Sequence, residues 1–141
     1  MANEATVRVS LTIRKGNVFY QSRPEAFLAD VSVGKGPVPG AKTCNSGELD
    51  IDFAELTNPG LCRLSNLSSE GYLEYGIWDP ETSVFYPLGE ILPGESYIIR
   101  LSRNFGEEYS GTGTGTTAAT NRFRVKGIAG STVALVEAFE T

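Results

Sequence analysis

The stretch from Leu61 to Arg103 constrains the fold of this 141-residue chain most, because strand-like runs alternate there with explicit turn chemistry. Leu61 to Leu67 ends in Ser68-Ser69-Glu70-Gly71. Tyr72 to Trp78 ends in Asp79-Pro80-Glu81-Thr82, where proline fixes φ for a turn and the aspartate can bond the amides that follow. A third run, Ser83 to Leu88, leads to Leu92-Pro93-Gly94-Glu95, with Pro and Gly in the two central places of a type II turn. In the run after it, Tyr97, Ile99 and Leu101 face one way and Ile98 and Arg100 the other, the alternation of a half-buried strand. These runs predict an antiparallel meander or part of a Greek key.

The rest of the chain agrees with a sheet. Ala5, Val7, Val9, Leu11 and Ile13 alternate with Thr6, Arg8, Ser10, Thr12 and Arg14, and Lys15-Gly16-Asn17 is a tight reversal that leads into Val18-Phe19-Tyr20. Glu25 to Val33 reads as a short helix or a strand, with strand favoured for its second half. Leu49, Ile51 and Phe53 alternate with Glu48, Asp50 and Asp52, which predicts a sheet with an acidic outer row. Near the end, Phe123 and Val125 alternate with Arg122, Arg124 and Lys126, and Val133 to Phe139 is expected to pair back through Ala129-Gly130-Ser131. The length suits one domain with one core, and 16 Gly with 7 Pro fit frequent turns better than a helical bundle. The expectation is an all-β fold, an antiparallel β-sandwich or jelly-roll-like single domain over residues 1–141. Val9, Leu11, Ile51, Ile99, Val125 and Leu135 are its expected core.

Two stretches have no periodic apolar face and are expected to be irregular loops: about 34–47, from Gly34 to Gly47, and about 104–120, which contains Gly-Thr-Gly-Thr-Gly-Thr from Gly111. A compact domain rarely carries long loops without a use, so both are candidates for partner contact. Val38 in the first, and Phe105 and Tyr109 in the second, are the expected anchors, with Thr112 and Thr114 as further contacts.

Charge and composition exclude several classes of function. A net charge of −5, with cations scattered singly, gives no footprint for nucleic acid, and no apolar run is long enough to span a bilayer. A soluble protein made in the cytoplasm is expected. The sequence has no histidine, which removes the commonest general base and every Ser-His or Cys-His pair. Glu48, Asp50, Asp52 and Glu55 have the charge for calcium but lack the Gly-punctuated ligand loop, so neither metal nor cofactor is expected. Glu74 with Glu90 or Glu95 has the makings of a glycosidase pair, but nothing in the spacing selects one. Asn66-Leu67-Ser68 matches a glycosylation acceptor, which is uninformative without a secretory signal. Cys44 and Cys62 have no metal or redox spacing and are read as free thiols, with a disulfide as the alternative. Tyr72, Tyr75, Trp78, Phe85 and Tyr86 suit either a sandwich core or a sugar-stacking face.

Asn66-Leu67, Tyr75-Gly76-Ile77-Trp78-Asp79-Pro80, Phe85-Tyr86-Pro87-Leu88 and the run from Leu92-Pro93-Gly94-Glu95 to Ser102 together resemble the small all-β virion proteins of tailed bacteriophages, especially capsid decoration (cement) proteins. The likeness covers a quarter to a third of the chain and is a pattern of strands and turns. It implies a β-sandwich or jelly roll seated on the major capsid protein at the capsid surface, commonly as a homo-trimer, stabilising the head shell without catalysis. A tail or neck component of the same virion would share these features. The rival class is a carbohydrate- or ligand-binding β-sandwich.

Overall fold

The computed structural model describes residues 4–31, 34–45, 47–53, 56, 59–79, 82–101 and 123–140. They form strands without a helix: β1 Ala5–Val9, β2 Thr12–Lys15, β3 Val18–Gln21, β4 Glu25–Ala29, β5 Val38–Asn45, β6 Glu48–Asp50, β7 Pro59–Asn66, β8 Tyr72–Asp79, β9 Val84–Ile91, β10 Ser96–Arg100, β11 Phe123–Ile128 and β12 Ser131–Glu140. Two four-stranded antiparallel sheets, ordered β10-β7-β12-β5 and β6-β11-β8-β9, make an all-β sandwich.

Strict alternation is why the sandwich closes. Along β12, Thr132, Ala134, Val136, Ala138 and Glu140 are buried while the residues between them are only partly so, and β11 buries Phe123, Val125 and Gly127 in the same rhythm. The inward rows meet in one core. Cys62, Leu64, Val136 and Ala138 come from the first sheet, and Leu73, Ile91, Phe123 and Val125 from the second, with Ile51 and Phe53 beside them. Phe123 is the aromatic centre, its ring centroid 5.9 Å from Phe53 and 6.5 Å from Tyr75, within the range of favourable offset contacts.

The central runs form strands where the sequence places them, yet they do not make a meander. β8 and β9 pair as a hairpin in the second sheet, while the strands flanking them, β7 and β10, pair in the first. Leu92-Pro93-Gly94-Glu95 carries the chain from one sheet to the other as the expected type II turn. Gly94 has φ +79°, and the Glu95 amide donates to the Leu92 carbonyl at 3.0 Å. The end of the chain corrects a second expectation. β11 and β12 do not pair with each other. They lie in opposite sheets, and the link at Ala129-Gly130 steps across the core, with Ala129 at φ +62° and Gly130 at φ +130°.

The loop expected over Gly34 to Gly47 is mostly strand. Val38 to Asn45 pairs with β12 from Ala138 to Ser131 as an edge strand, where Pro39 and Gly40 are tolerated because one side needs no partner. In the Glu25 to Val33 segment the strand is Glu25–Ala29, Asp30 and Val31 lie beyond it, and Ser32 and Val33 lie outside the described residues.

Asn66 joins the sheets at one end. Its side chain is buried, and its Nδ2 donates to the Ile91 carbonyl at 3.1 Å and the Gly71 carbonyl at 3.3 Å, while Oδ1 accepts from the Ser68 amide at 3.0 Å. Its own amide donates to the Glu95 carbonyl, and its carbonyl accepts from the Gly94 amide, both at 3.1 Å. An amide so committed is not an accessible glycan acceptor.

Asn66→Ala should therefore cost at least about 2 kcal/mol in urea unfolding, because it strands buried backbone groups. Phe123→Ala should cost about 3–5 kcal/mol. A loss below about half a kcal/mol for either would mean that the side chain is not where the packing places it.

Candidate interaction surface

Residues 5–29 form a two-stranded ribbon outside the sandwich sheets. β1 pairs with β4 from Ala5↔Ala29 to Val9↔Glu25, and β2 with β3 from Thr12↔Gln21 to Lys15↔Val18. The register changes by one residue between the two pairs, at the point where Arg23-Pro24 interrupts the returning strand. Ser22 bridges that step: its amide donates to the Leu11 carbonyl and its Oγ accepts from the Leu11 amide, each at 2.8 Å. At the tip Gly16 takes φ +55° as the first central residue of the reversal, the place a type II′ hairpin turn gives to glycine. Eleven residues of strand at about 3.3 Å each make the ribbon roughly 35 Å long.

Only its base is anchored. Val7, Ala29 and Leu61 form a small separate cluster with Ala5 against it, and Leu61 lies on the outer face of β7, opposite the main core. The Val31 amide donates to Glu4 Oε2 at 3.0 Å, tying the two ends of the ribbon together. A cleft of about 330 Å³ separates this base from the sheet, lined by Val7, Leu61, Arg63, Ile98 and Phe139 among others.

Beyond the base the apolar rows continue with no other described residue over them. Every residue of β2 and β3 is exposed. Leu11 is 53% exposed, Val18 60% and Phe19 61%, with Val9, Ile13, Tyr20, Phe27 and Leu28 also open. Val9 and Leu11 are thus not core, which corrects the expectation. Alternation identifies a face made to be covered, and Val7 is the last residue of that face that its own sandwich covers. Of the other expected core residues, Ile51 and Val125 are fully buried, Ile99 packs against the core from an edge strand, and Leu135 is half-buried on the outer row of β12. The guanidinium of Arg14 lies 5.1 Å from the centre of the Phe19 ring on the paired strand, a cation–π contact that orders both without hiding either.

A second group of exposed apolar residues lies on β9, an edge strand: Val84, Tyr86 and Leu88. A bulge at Leu88 reverses the alternation, so Tyr86 sits across from the core-facing Ile77, while Glu90 sits across from Glu74 of β8 on the opposite face, a like-charge pair that costs stability wherever no cation relieves it. Lys126 neighbours Glu74 on β11, but its Nζ is 3.9 Å from Glu48. These carboxylates are the expected glycosidase pair, and the fold places them on an open sheet face. The third candidate, Glu95, instead accepts from the Leu92 amide at 3.0 Å and from the Tyr97 hydroxyl at 2.8 Å, and that hydroxyl's pKa is raised, first by this bond.

The acidic row of β6 faces outward as expected. Arg124 holds it, pairing with Asp50 and, at 3.0 Å, with Glu48, so these two carboxylates are neutralised by the protein's own cation. The same guanidinium stacks 3.7 Å over Trp78, occupying a ring face that a sugar would need. Tyr75 packs against the core, while Tyr86 is exposed on β9, so the aromatic set is divided between core and surface.

Of the expected partner contacts, Val38 is half-buried against the main core as part of β5, where the pairing with β12 puts it. Phe105, Tyr109, Thr112 and Thr114 lie outside the described residues, as do Glu55 and the 104–120 stretch. The ribbon is the surface that the sequence reading missed, and its signal was present: nine large apolar residues between Val7 and Leu28, on strands too short of partners to bury them.

Both cysteines are buried free thiols. Burial pushes the Cys62 thiol up to about 12, helped by the Glu137 charge, and burial also raises Cys44. Comparison with protein-family models, with curated proteins and with solved structures finds no match. The fold and surface define the class: an all-β sandwich with an apolar ribbon attached by its base.

Both thiols should be inert to Ellman's reagent in the folded protein at about pH 8 and react once guanidinium unfolds it, since only the thiolate attacks. Rapid reaction of either in the native state would contradict its burial.

Proposed function

We propose that this chain is a non-enzymatic structural protein of a virion, of the capsid decoration type, working by contact with the major capsid protein and with copies of itself, as a trimer at the capsid surface. The ribbon is the observation that carries the structural half of this reading. A chain that keeps Leu11, Val18, Phe19, Tyr20, Phe27 and Leu28 exposed on the two faces of one projecting element has surface to offer another protein, because large apolar residues gathered in the open on one element mark interaction sites. The virion half rests on the strand-and-turn pattern from Asn66 to Ser102 and its resemblance to decoration proteins. Catalysis draws no support from the carboxylates, which lie on open sheet faces or are held by Arg124. Sugar binding draws none from Trp78, which already carries that guanidinium.

Mass spectrometry of purified phage particles from the source of this chain should find it in an amount stoichiometric with the major capsid protein. Its absence from particles, with the chain present in infected cells, would remove the virion reading.

A further inference from the structure

Charge is divided unevenly between the ribbon and the rest of the chain. Residues 5–29 carry Arg8, Arg14, Lys15 and Arg23 against Glu25 alone, a net of +3, which leaves −8 for the remainder of a chain whose total is −5. The ribbon therefore has the charge and the apolar rows to bind the body of a chain like its own.

We infer that the ribbon of one copy docks across the β9 edge of a second copy, with its apolar residues on Tyr86 and Leu88 and the cations at its tip, Arg14 and Lys15, reaching the other side of that edge beside Glu74 and Glu90. The inference deepens the self-association part of the proposed function and rests on it.

Four edge strands are available, and they differ in what they offer. β5 carries Lys42 and its exposed residues are small or polar. β6 is three residues long, and its acids are already held by Arg124. On β10, Arg100 repels a cationic ribbon, and Ile98 lines the cleft under the ribbon base of its own copy. β9 alone combines exposed large apolar residues with an exposed acid, Glu90, and carries no Lys or Arg. Among the described residues neither Glu74 nor Glu90 has an ion-pair partner. Lys126 lies across from Glu74 on β11 and offsets part of the repulsion between the two glutamates, and a cation on the β9 side offsets the rest. Pro87 lacks an amide hydrogen and interrupts backbone pairing in the middle of this edge, which leaves side chains to carry the contact and keeps the edge from pairing with arbitrary strands.

The geometry also favours another copy over the ribbon's own body. The anchored base is on the outer face of the β10-β7-β12-β5 sheet, at Leu61, while β9 is an edge of the opposite sheet. Reciprocal docking of the same two surfaces closes a ring or a two-fold pair without leaving an open contact.

The test is charge reversal and its rescue in the full chain. Sedimentation at micromolar concentration and low salt should show the wild type above monomer mass. Arg14→Glu with Lys15→Glu, and separately Glu74→Lys with Glu90→Lys, should each weaken assembly at least about tenfold, since like charges then face each other. All four substitutions together should restore it to near the wild-type level. Unchanged far-ultraviolet spectra confirm that each variant is folded.

Wild-type assembly that either reversed pair leaves intact would overturn the docking while the self-association reading stands. Failure of the four-fold variant to recover would overturn it as well. A wild type that stays monomeric overturns it too. If that monomer sediments with vesicles containing phosphatidylserine, a membrane takes the ribbon instead. Whether the chain is in virions is decided separately by particle composition, so the two failures are distinguishable.

Discussion

Two sheets packed face to face need something to fix how they meet at their ends, where the apolar rows stop and polar backbone must turn. Asn66 meets that need here. Belonging to β7 in one sheet, it donates to the Ile91 carbonyl of β9 in the other, and it closes the turns at Ser68 to Gly71 and at Leu92 to Glu95. A buried primary amide has two donors and a carbonyl acceptor, and each is used. The crossings between sheets on either side of the β8–β9 hairpin depend on this one side chain, and with them the placement of β9 as an edge strand.

The core between the sheets is conventional in content and economical in size. Small residues on β12, Ala134 and Ala138, face large ones from the second sheet, notably Phe123 and Leu73, so that the rows interdigitate. Outside the core the chain divides its work. Arg124 and Lys126 balance the β6 acids, and Arg63 pairs with Glu137 at 2.8 Å across β7 and β12, which leaves these faces polar and satisfied. The ribbon and β9 keep exposed apolar residues and opposite charge. Exposed apolar residues also lie on β10, at Tyr97 and Ile98, beside Arg100.

Much of the fold was legible in the sequence because it is written in alternation and turn chemistry. The strands from Leu61 to Arg100 fall close to their expected places, and Pro93-Gly94 makes the turn its residues dictate. Pairing was not legible. Alternation says that a strand has an apolar face but not which sheet receives it, so β11 and β12 read as a hairpin although they belong to opposite layers. β5 was hidden by Gly and Pro, residues that punctuate loops in most settings but are tolerated on an edge strand such as this one. The ribbon shows the same limit from the other side. Val9 and Leu11 have the pattern of core, yet among the described residues no surface covers them.

The central claim is that the sandwich is the stable unit and that the ribbon beyond its base is supported only by a partner. Amide hydrogen exchange of the dilute monomer, resolved by peptide, tests it directly, because protection follows the free energy of local opening. Amides of β7 and β12 should exchange only on global unfolding, while those from Leu11 to Ser22 exchange far faster and become protected on assembly. Equal protection of the ribbon and β12 in the monomer would show that the ribbon is covered by its own chain and would contradict the account.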